Sequence, residues 1–334
     1  MLRKKSTYLF AFVALLIALE LGLRLALGLG RPPLMQKDDN IGYLFQADQH
    51  CTRFGNEVTI NAYHQRSEAL SAKPDSTFLR VLFIGDSVTW GSVLIDQDET
   101  YPELFEQQAA QSCTQPVEAL NASAGSWGVK NLRAYAERFG AFESDLVVLQ
   151  IGSHDLFQDK STSEVVGRSP AMPNEAPLLA VQELWVRYLW PRYLRPRLPA
   201  FLTPGSEQGA QKKKAPKAQR FAQNMTALRG LIGALRTEER PVAVVHTPDR
   251  REVVRPSSDE RTTYRRRFVQ MLDSLQAPVL NLRSRWTKRR GVTSLYRDGV
   301  HLSEQGNAQL AEGLWSFVRR RWAVCSPAFV AGGA

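Results

Sequence analysis

A serine at the carboxyl end of an apolar run, and far downstream a histidine three residues after an aspartate, are the residue types a covalent acyl transfer requires. The serine stands in Phe83-Ile84-Gly85-Asp86-Ser87-Val88-Thr89-Trp90-Gly91, and the other pair in Asp298-Gly299-Val300-His301. A hydroxyl is a weak nucleophile until a base takes its proton, and the base needs a third group to orient it. The D-x-x-H spacing on one turn lets Asp298 reach one imidazole nitrogen of His301 while the other faces Ser87. An isolated G-D-S is an ordinary strand-to-helix turn, and a lone histidine is more often structural than catalytic. The combination carries the specificity.

Such groups need a frame. Apolar runs rich in Val, Ile and Leu occur at Arg80 to Ile84, Val117 to Leu120, Asp145 to Ile151, Pro241 to Val245 and Pro278 to Leu282, each followed by a segment able to form a helix. Runs of this kind suit strands buried on both faces, so the alternation predicts an open parallel sheet flanked by helices. Ser87 then lies at the carboxyl edge of the sheet, where ligands bind. Gly85 allows the tight turn, Asp86 braces the loop, and the next helix presents backbone N–H groups to a developing anion. Ser257 with Glu260 has capping-box spacing, and Ser303 can cap the last helix. Glu57 to Ala62 alternates in the manner of one edge strand.

The whole chain has 334 residues, 43% of them apolar, with 43 Lys plus Arg against 33 Asp plus Glu and a net charge of +10. This excludes a disordered chain or a small disulfide scaffold and suggests an anionic partner. Nucleic acid is not expected, because no recognition motif accompanies the charge. Arg3, Lys4 and Lys5 precede an apolar run from Tyr8 to Leu19 that resumes through Leu29 after Glu20 and Arg24. With no A-x-A cleavage pattern, it reads as an uncleaved signal anchor in the inner membrane, with everything after Arg31 outside the cytoplasm. Glu20 and Arg24, at i and i+4, can pair. Cys51, Cys113 and Cys325 permit one disulfide, whose partners spacing does not decide, and offer no zinc pattern. The insertion between the third and fourth strands pairs an aromatic and basic half, Leu184 to Leu198, with a Gly, Lys and Gln rich half, Pro204 to Arg220. The first half suits a membrane surface, a carbohydrate groove or an amphipathic cover piece.

From Arg80 to Trp322 the chain resembles the SGNH or GDSL hydrolase family. The resemblance implies an α/β, flavodoxin-like three-layer sandwich with a five-stranded parallel sheet, preceded here by one transmembrane helix. It also implies Ser87 as nucleophile and Asp298 and His301 as the base pair. The second block is Asn121-Ala122-Ser123-Ala124-Gly125-Ser126-Trp127-Gly128, in which Gly125 or Ser126 supplies an oxyanion N–H. The third block departs from the family's G-x-N-D: here it is Gly152-Ser153-His154-Asp155, with histidine at the asparagine position. The expected oxyanion hole is therefore Ser87, Gly125 and His154, with no metal or organic cofactor. Residues 1–33 are expected as the anchor, 34–79 as a linker extension, 80–322 as the hydrolase domain with an insertion at about 157–220, and 323–334 as a tail. The expected substrate is an O-acylated cell-surface or exported carbohydrate, or another ester. O-acyl transfer and binding without turnover are the alternatives. Arg265 to Arg267 are candidates for holding an anionic polymer, or a solvated helix face, and His246 is a candidate pocket residue or a buried structural one.

Overall fold

A computed structural model describes residues 2–72, 78–197, 215–237, 240–255 and 260–325. The chain opens with α1 (Leu2–Leu27), whose Thr7–Leu27 segment is long and apolar enough to cross a membrane. Two antiparallel hairpins follow: β1 (Met35–Asp38) with β2 (Gly42–Phe45), and β3 (Gln49–Arg53) with β4 (Asn56–Ile60). Then come β5 (Leu79–Gly85), α2 (Ser87–Trp90), α3 (Tyr101–Ala110), β6 (Val117–Ser123), α4 (Val129–Phe139) and β7 (Leu146–Gly152). The insertion holds α5 (Ala180–Glu183), which runs straight into a π-helix, Leu184–Leu194. The chain closes with α6 (Lys217–Leu235), β8 (Val242–Thr247), α7 (Arg250–Val254), α8 (Glu260–Ser274), β9 (Val279–Asn281), α9 (Leu282–Trp286) and α10 (Glu304–Arg321).

The five parallel strands lie in the order β6-β5-β7-β8-β9. Every residue of β5, β7 and β8 is buried, so alternate side chains feed cores on opposite faces. Leu82, Ile84, Val147, Leu149 and Val244 pack with α4, α6 and α8, whereas Val81, Phe83, Val148 and Val245 pack with α3, α9 and α10. The strand order reverses beside β5, which opens a crevice at the carboxyl ends of β5 and β7. Gly85 is confined to glycine there by close approach, since a Cβ would come within 1.9 Å of Thr89 Oγ1. The last helix starts as expected, with Ser303 Oγ accepting from the Gly306 N–H. Ser257 lies outside the described residues.

Much of the segment 34–72 packs on the sheet. Ile41, Tyr43, Leu44, Phe45, Val58 and Ile60 are part of the same core as the sheet. The alternating segment pairs within its own hairpin and not on an edge of the main sheet, because strands of four or five residues show too little periodicity to reveal which partner they take. Arg66 follows, fully buried, and donates to the carbonyls of Trp90, Ser92 and Ile95 behind the Ser87 helix. Cys113 and Cys325 form a disulfide that ties the segment after α10 to the loop after α3, and Cys51 is free and half-buried.

Candidate active site

The loop after each of three neighbouring strands delivers one part of the site. After β5, Asp86 caps α2 by accepting from the Val88 N–H at 2.7 Å, which fixes Ser87 in the first position of that helix. The capped turn is backed from inside by Gln150 on β7, whose Oε1 accepts from the Asp86 N–H and from Thr89 Oγ1. After β6, Gly125 and Ser126 face the same cleft. Ser126 holds a left-handed backbone at φ 62°, and its carbonyl accepts from Gln158 Nε2. After β7 comes His154.

His301 reaches this edge on the loop ahead of α10. Two tethers hold that loop: the Arg250 N–H donates to the Gly299 carbonyl, and Tyr296 Oη donates to the Pro248 carbonyl. His301 Nε2 is 3.0 Å from Ser87 Oγ, and His301 Nδ1 is 2.7 Å from Asp298 Oδ2. The other carboxylate oxygen of Asp298 accepts from the N–H groups of Val300 and His301, both at 2.8 Å. Partial burial disfavours the ionised carboxyl. Those two N–H groups and the His301 ring outweigh it and bring the Asp298 pKa down to about 2. An ionised Asp298 fixes Nδ1 of His301 as the protonated nitrogen and leaves Nε2 to accept the serine proton.

His154 sits differently. Its Nε2 is 2.6 Å from Asp86 Oδ2 and its Nδ1 is 3.3 Å from Asp249 Oδ1, with Asp155 Oδ1 3.7 Å away. Burial opposes its charged form, but Asp155, Asp249 and Asp86 more than compensate and push its pKa up to about 12. Burial and the Asp86 charge raise the Asp155 pKa in turn, so the proton is shared within a cluster of His154 and its neighbouring acids. Both ring nitrogens therefore face acids, an arrangement different from that of a donor aimed into the cleft. The residue still lines the cleft, so what it offers a developing anion is positive charge. Asp86, His154 and Asp155 have ligand atoms mutually within 4.8 Å, a spacing a metal ion would also fit.

The cleft has a volume of about 410 Å³ and is walled by Ser87, Gly125, His154 and His301. Its rim comes from regions that carry no motif: Pro33, Met35 and Phe45 from the N-terminal extension, and Met172 and Arg187 from the insertion. Sequence reasoning passed over these because only tertiary contact brings them near Ser87. Asp249 was also passed over, although it stands directly after β8 at the productive sheet edge, a position that would have flagged it. His246 is fully buried, with Nδ1 2.9 Å from the Ile151 carbonyl oxygen, and burial lowers its pKa to about 4, so its role is structural. Arg265 lies 3.6 Å from Glu252 and Arg267 lies over the Phe221 ring, and neither lines the cleft.

Residues 83–309, a span that runs from the serine block past the histidine loop, match the sequence profile of the GDSL-like Lipase/Acylhydrolase family. The chain belongs to this family. A search of curated proteins gives no match. Among solved structures, the acetyl xylan esterase AlAXEase is 18% identical, with a TM-score of 0.45, covering 72% of this chain and 100% of its own. TesA is 14% identical with a TM-score of 0.46, covering 73% and 99%. The lipase/acylhydrolase from Enterococcus faecalis is 14% identical with a TM-score of 0.45, covering 73% and 96%. The GDSL-like chain has the five-stranded parallel sheet and α/β layering of SGNH hydrolases, with the long apolar helix added at its N-terminus.

Proposed function

We propose that this GDSL-like protein is a serine esterase in which Ser87, His301 and Asp298 act through an acyl-enzyme. The observation that carries the reading is the unbroken chain of contacts from Ser87 Oγ through His301 to Asp298 at the mouth of the cleft. His301 Nε2 takes the Ser87 proton as the hydroxyl attacks an ester carbonyl. The imidazolium so formed is held by Asp298, and it then protonates the departing alcohol. The backbone N–H groups of Ser87 and of Gly125 or Ser126 receive the oxyanion, and His154 adds charge without a hydrogen bond. Water, activated by His301, releases the acid.

The substrate class we propose is an O-acylated carbohydrate outside the cytoplasm. Arg187 at the rim of the cleft supports an anionic carbohydrate in particular. The contacts made around α1 support its reading as a retained anchor. The residues after the apolar stretch are built into the folded body: Leu29 is buried, the Gly28 carbonyl accepts from Arg53 and the Gly30 N–H donates to Glu183. Loss of the helix by cleavage would remove the contacts of Glu20 and Arg24 with the insertion. The Cys113–Cys325 disulfide favours an oxidising compartment.

The test is hydrolysis of p-nitrophenyl acetate and release of acetate from O-acetylated glycans by the full chain in detergent, beside Ser87→Ala. Turnover abolished in Ser87→Ala is expected. A folded wild type with no turnover, and no labelling of Ser87 by a fluorophosphonate, overturns the esterase reading. Acetate moved onto an added glycan in preference to water would make the same site an acyltransferase.

A further inference from the structure

We infer that the insertion segment Leu178–Leu194 is a membrane-interface element, seated in the boundary between lipid headgroups and acyl chains and held at that depth by the anchor helix. The inference rests on the reading of α1 as an anchor. It adds a second surface that touches lipid, one that also forms a wall of the cleft.

The two charged residues inside the apolar helix show where the segment sits. Glu20 Oε1 and Oε2 accept from the N–H groups of Ala180 and Val181, so a carboxylate of α1 caps the first turn of α5. Arg24 bonds Glu20 at 2.7 Å and donates to the Leu178 carbonyl. On the side facing the protein, Ala180, Leu184 and Tyr188 pack against Leu23, Leu29 and Phe54, and Glu183 pairs with the buried Arg53 at 2.5 Å. The segment is therefore fixed relative to the anchor.

Depth follows from helix geometry. The span Thr7–Leu27 is about 31 Å long at 1.5 Å per residue, close to the roughly 30 Å of a hydrocarbon core. Glu20 stands about 10 Å short of its Leu27 end. A segment capped by Glu20 thus lies at or below the headgroup level, the depth of about 5–10 Å at which amphipathic interfacial helices bury their apolar faces. Its outward side chains fit that depth: Leu178 is 87% exposed, Leu179 53%, Trp185 47% and Tyr193 51%. Aromatic rings favour this zone, while the arginines at 192, 195 and 197 have stems long enough to reach phosphate. In water this surface would be an uncovered apolar patch beside a membrane helix. Arg187, between the packed and exposed faces, lines the cleft, so the seat sets the height and orientation of Ser87 above the bilayer.

The experiment uses the full chain in phosphatidylglycerol-containing nanodiscs, with Cys51→Ser and a single spin label introduced at Leu15→Cys, Trp185→Cys or Glu312→Cys. Accessibility is measured to oxygen, which partitions into lipid, and to a water-soluble nickel chelate. Labels at 15 and 185 are expected to favour oxygen, and the label at 312 to favour nickel. A label at 185 that favours nickel while the one at 15 favours oxygen overturns the interface seat and leaves the anchor intact. A label at 15 that favours nickel overturns the anchor and the seat with it. A label at 185 shielded from both reagents and dipolar-coupled to another copy assigns the patch to self-association and overturns the seat.

Discussion

Two histidine–aspartate arrangements stand at the same sheet edge, and their difference decides which one can move a proton. His301 has one carboxylate on Nδ1 and a hydroxyl on Nε2, on a half-exposed turn wired by its own backbone. His154 has carboxylates at both nitrogens and a third nearby, in a more buried position. A single carboxylate orients a base and leaves its other nitrogen free to accept, whereas several carboxylates hold a proton so firmly that the ring ceases to exchange it in the working range of pH. Identity of the side chain says nothing about this; the number of carboxylates around it does.

The largest effect should come from breaking the first arrangement. Ser87→Ala and His301→Asn are each expected to lower kcat by about 10⁴-fold or more with the folded structure unchanged by circular dichroism. Asp298→Asn follows at about 10³–10⁴-fold, because the amide no longer selects the tautomer with Nε2 free. If His154 were an oxyanion donor, His154→Ala would cost about 10²–10³-fold in kcat. As arranged, the dominant loss is in stability, about 3 kcal/mol or more by denaturant unfolding, since Asp86, Asp155 and Asp249 are left together without their cation. A kcat loss in the full hundredfold range with stability intact would erase the distinction between the two histidines.

Two pH experiments sharpen it further. His154 stays charged well above neutrality, so the ratio of wild-type to His154→Asn activity should be flat between pH 5 and 9. A ratio that falls or rises through that window would mean that His154 titrates during catalysis. The second experiment reads stability. The folded His154 pKa of about 12 lies above the unfolded value of about 6.5, so the folded state binds the proton more tightly. That contribution is fully present below the unfolded value and is lost as pH rises toward the folded one. Wild type should therefore lose stability from neutral to alkaline pH more steeply than His154→Asn, as read from urea midpoints. Asp298, with its pKa near 2, adds no acidic limb to activity above pH of about 3.

Much of this site is readable in one dimension because it is locally encoded. Asp298 and His301 meet through one turn of backbone, and Ser87 follows a strand whose seven residues are all buried. Apolar runs at β5, β7 and β8 announce a parallel sheet because burial on both faces leaves no polar alternation. The hairpins of residues 35–60 were missed for the opposite reason, since their strands are short and take their apolar partners from elsewhere in the chain. The acids around His154 were not legible in the sequence because Asp86 and Asp249 stand 68 and 95 residues away.

The sequence alone determined the parallel α/β sheet, the serine at its productive edge, the histidine with its own aspartate and the apolar N-terminal helix. These depend on periodicity and on contacts within a turn, which follow from residue order. Tertiary structure decided what long-range contact controls: the acids gathered around His154, the disulfide partners, the cleft rim from the extension and insertion, and the pairing of Glu20 and Arg24 with Leu178, Ala180 and Val181. A pKa or a pocket wall depends on which groups come within a few ångströms in space, and separation along the chain does not report that distance.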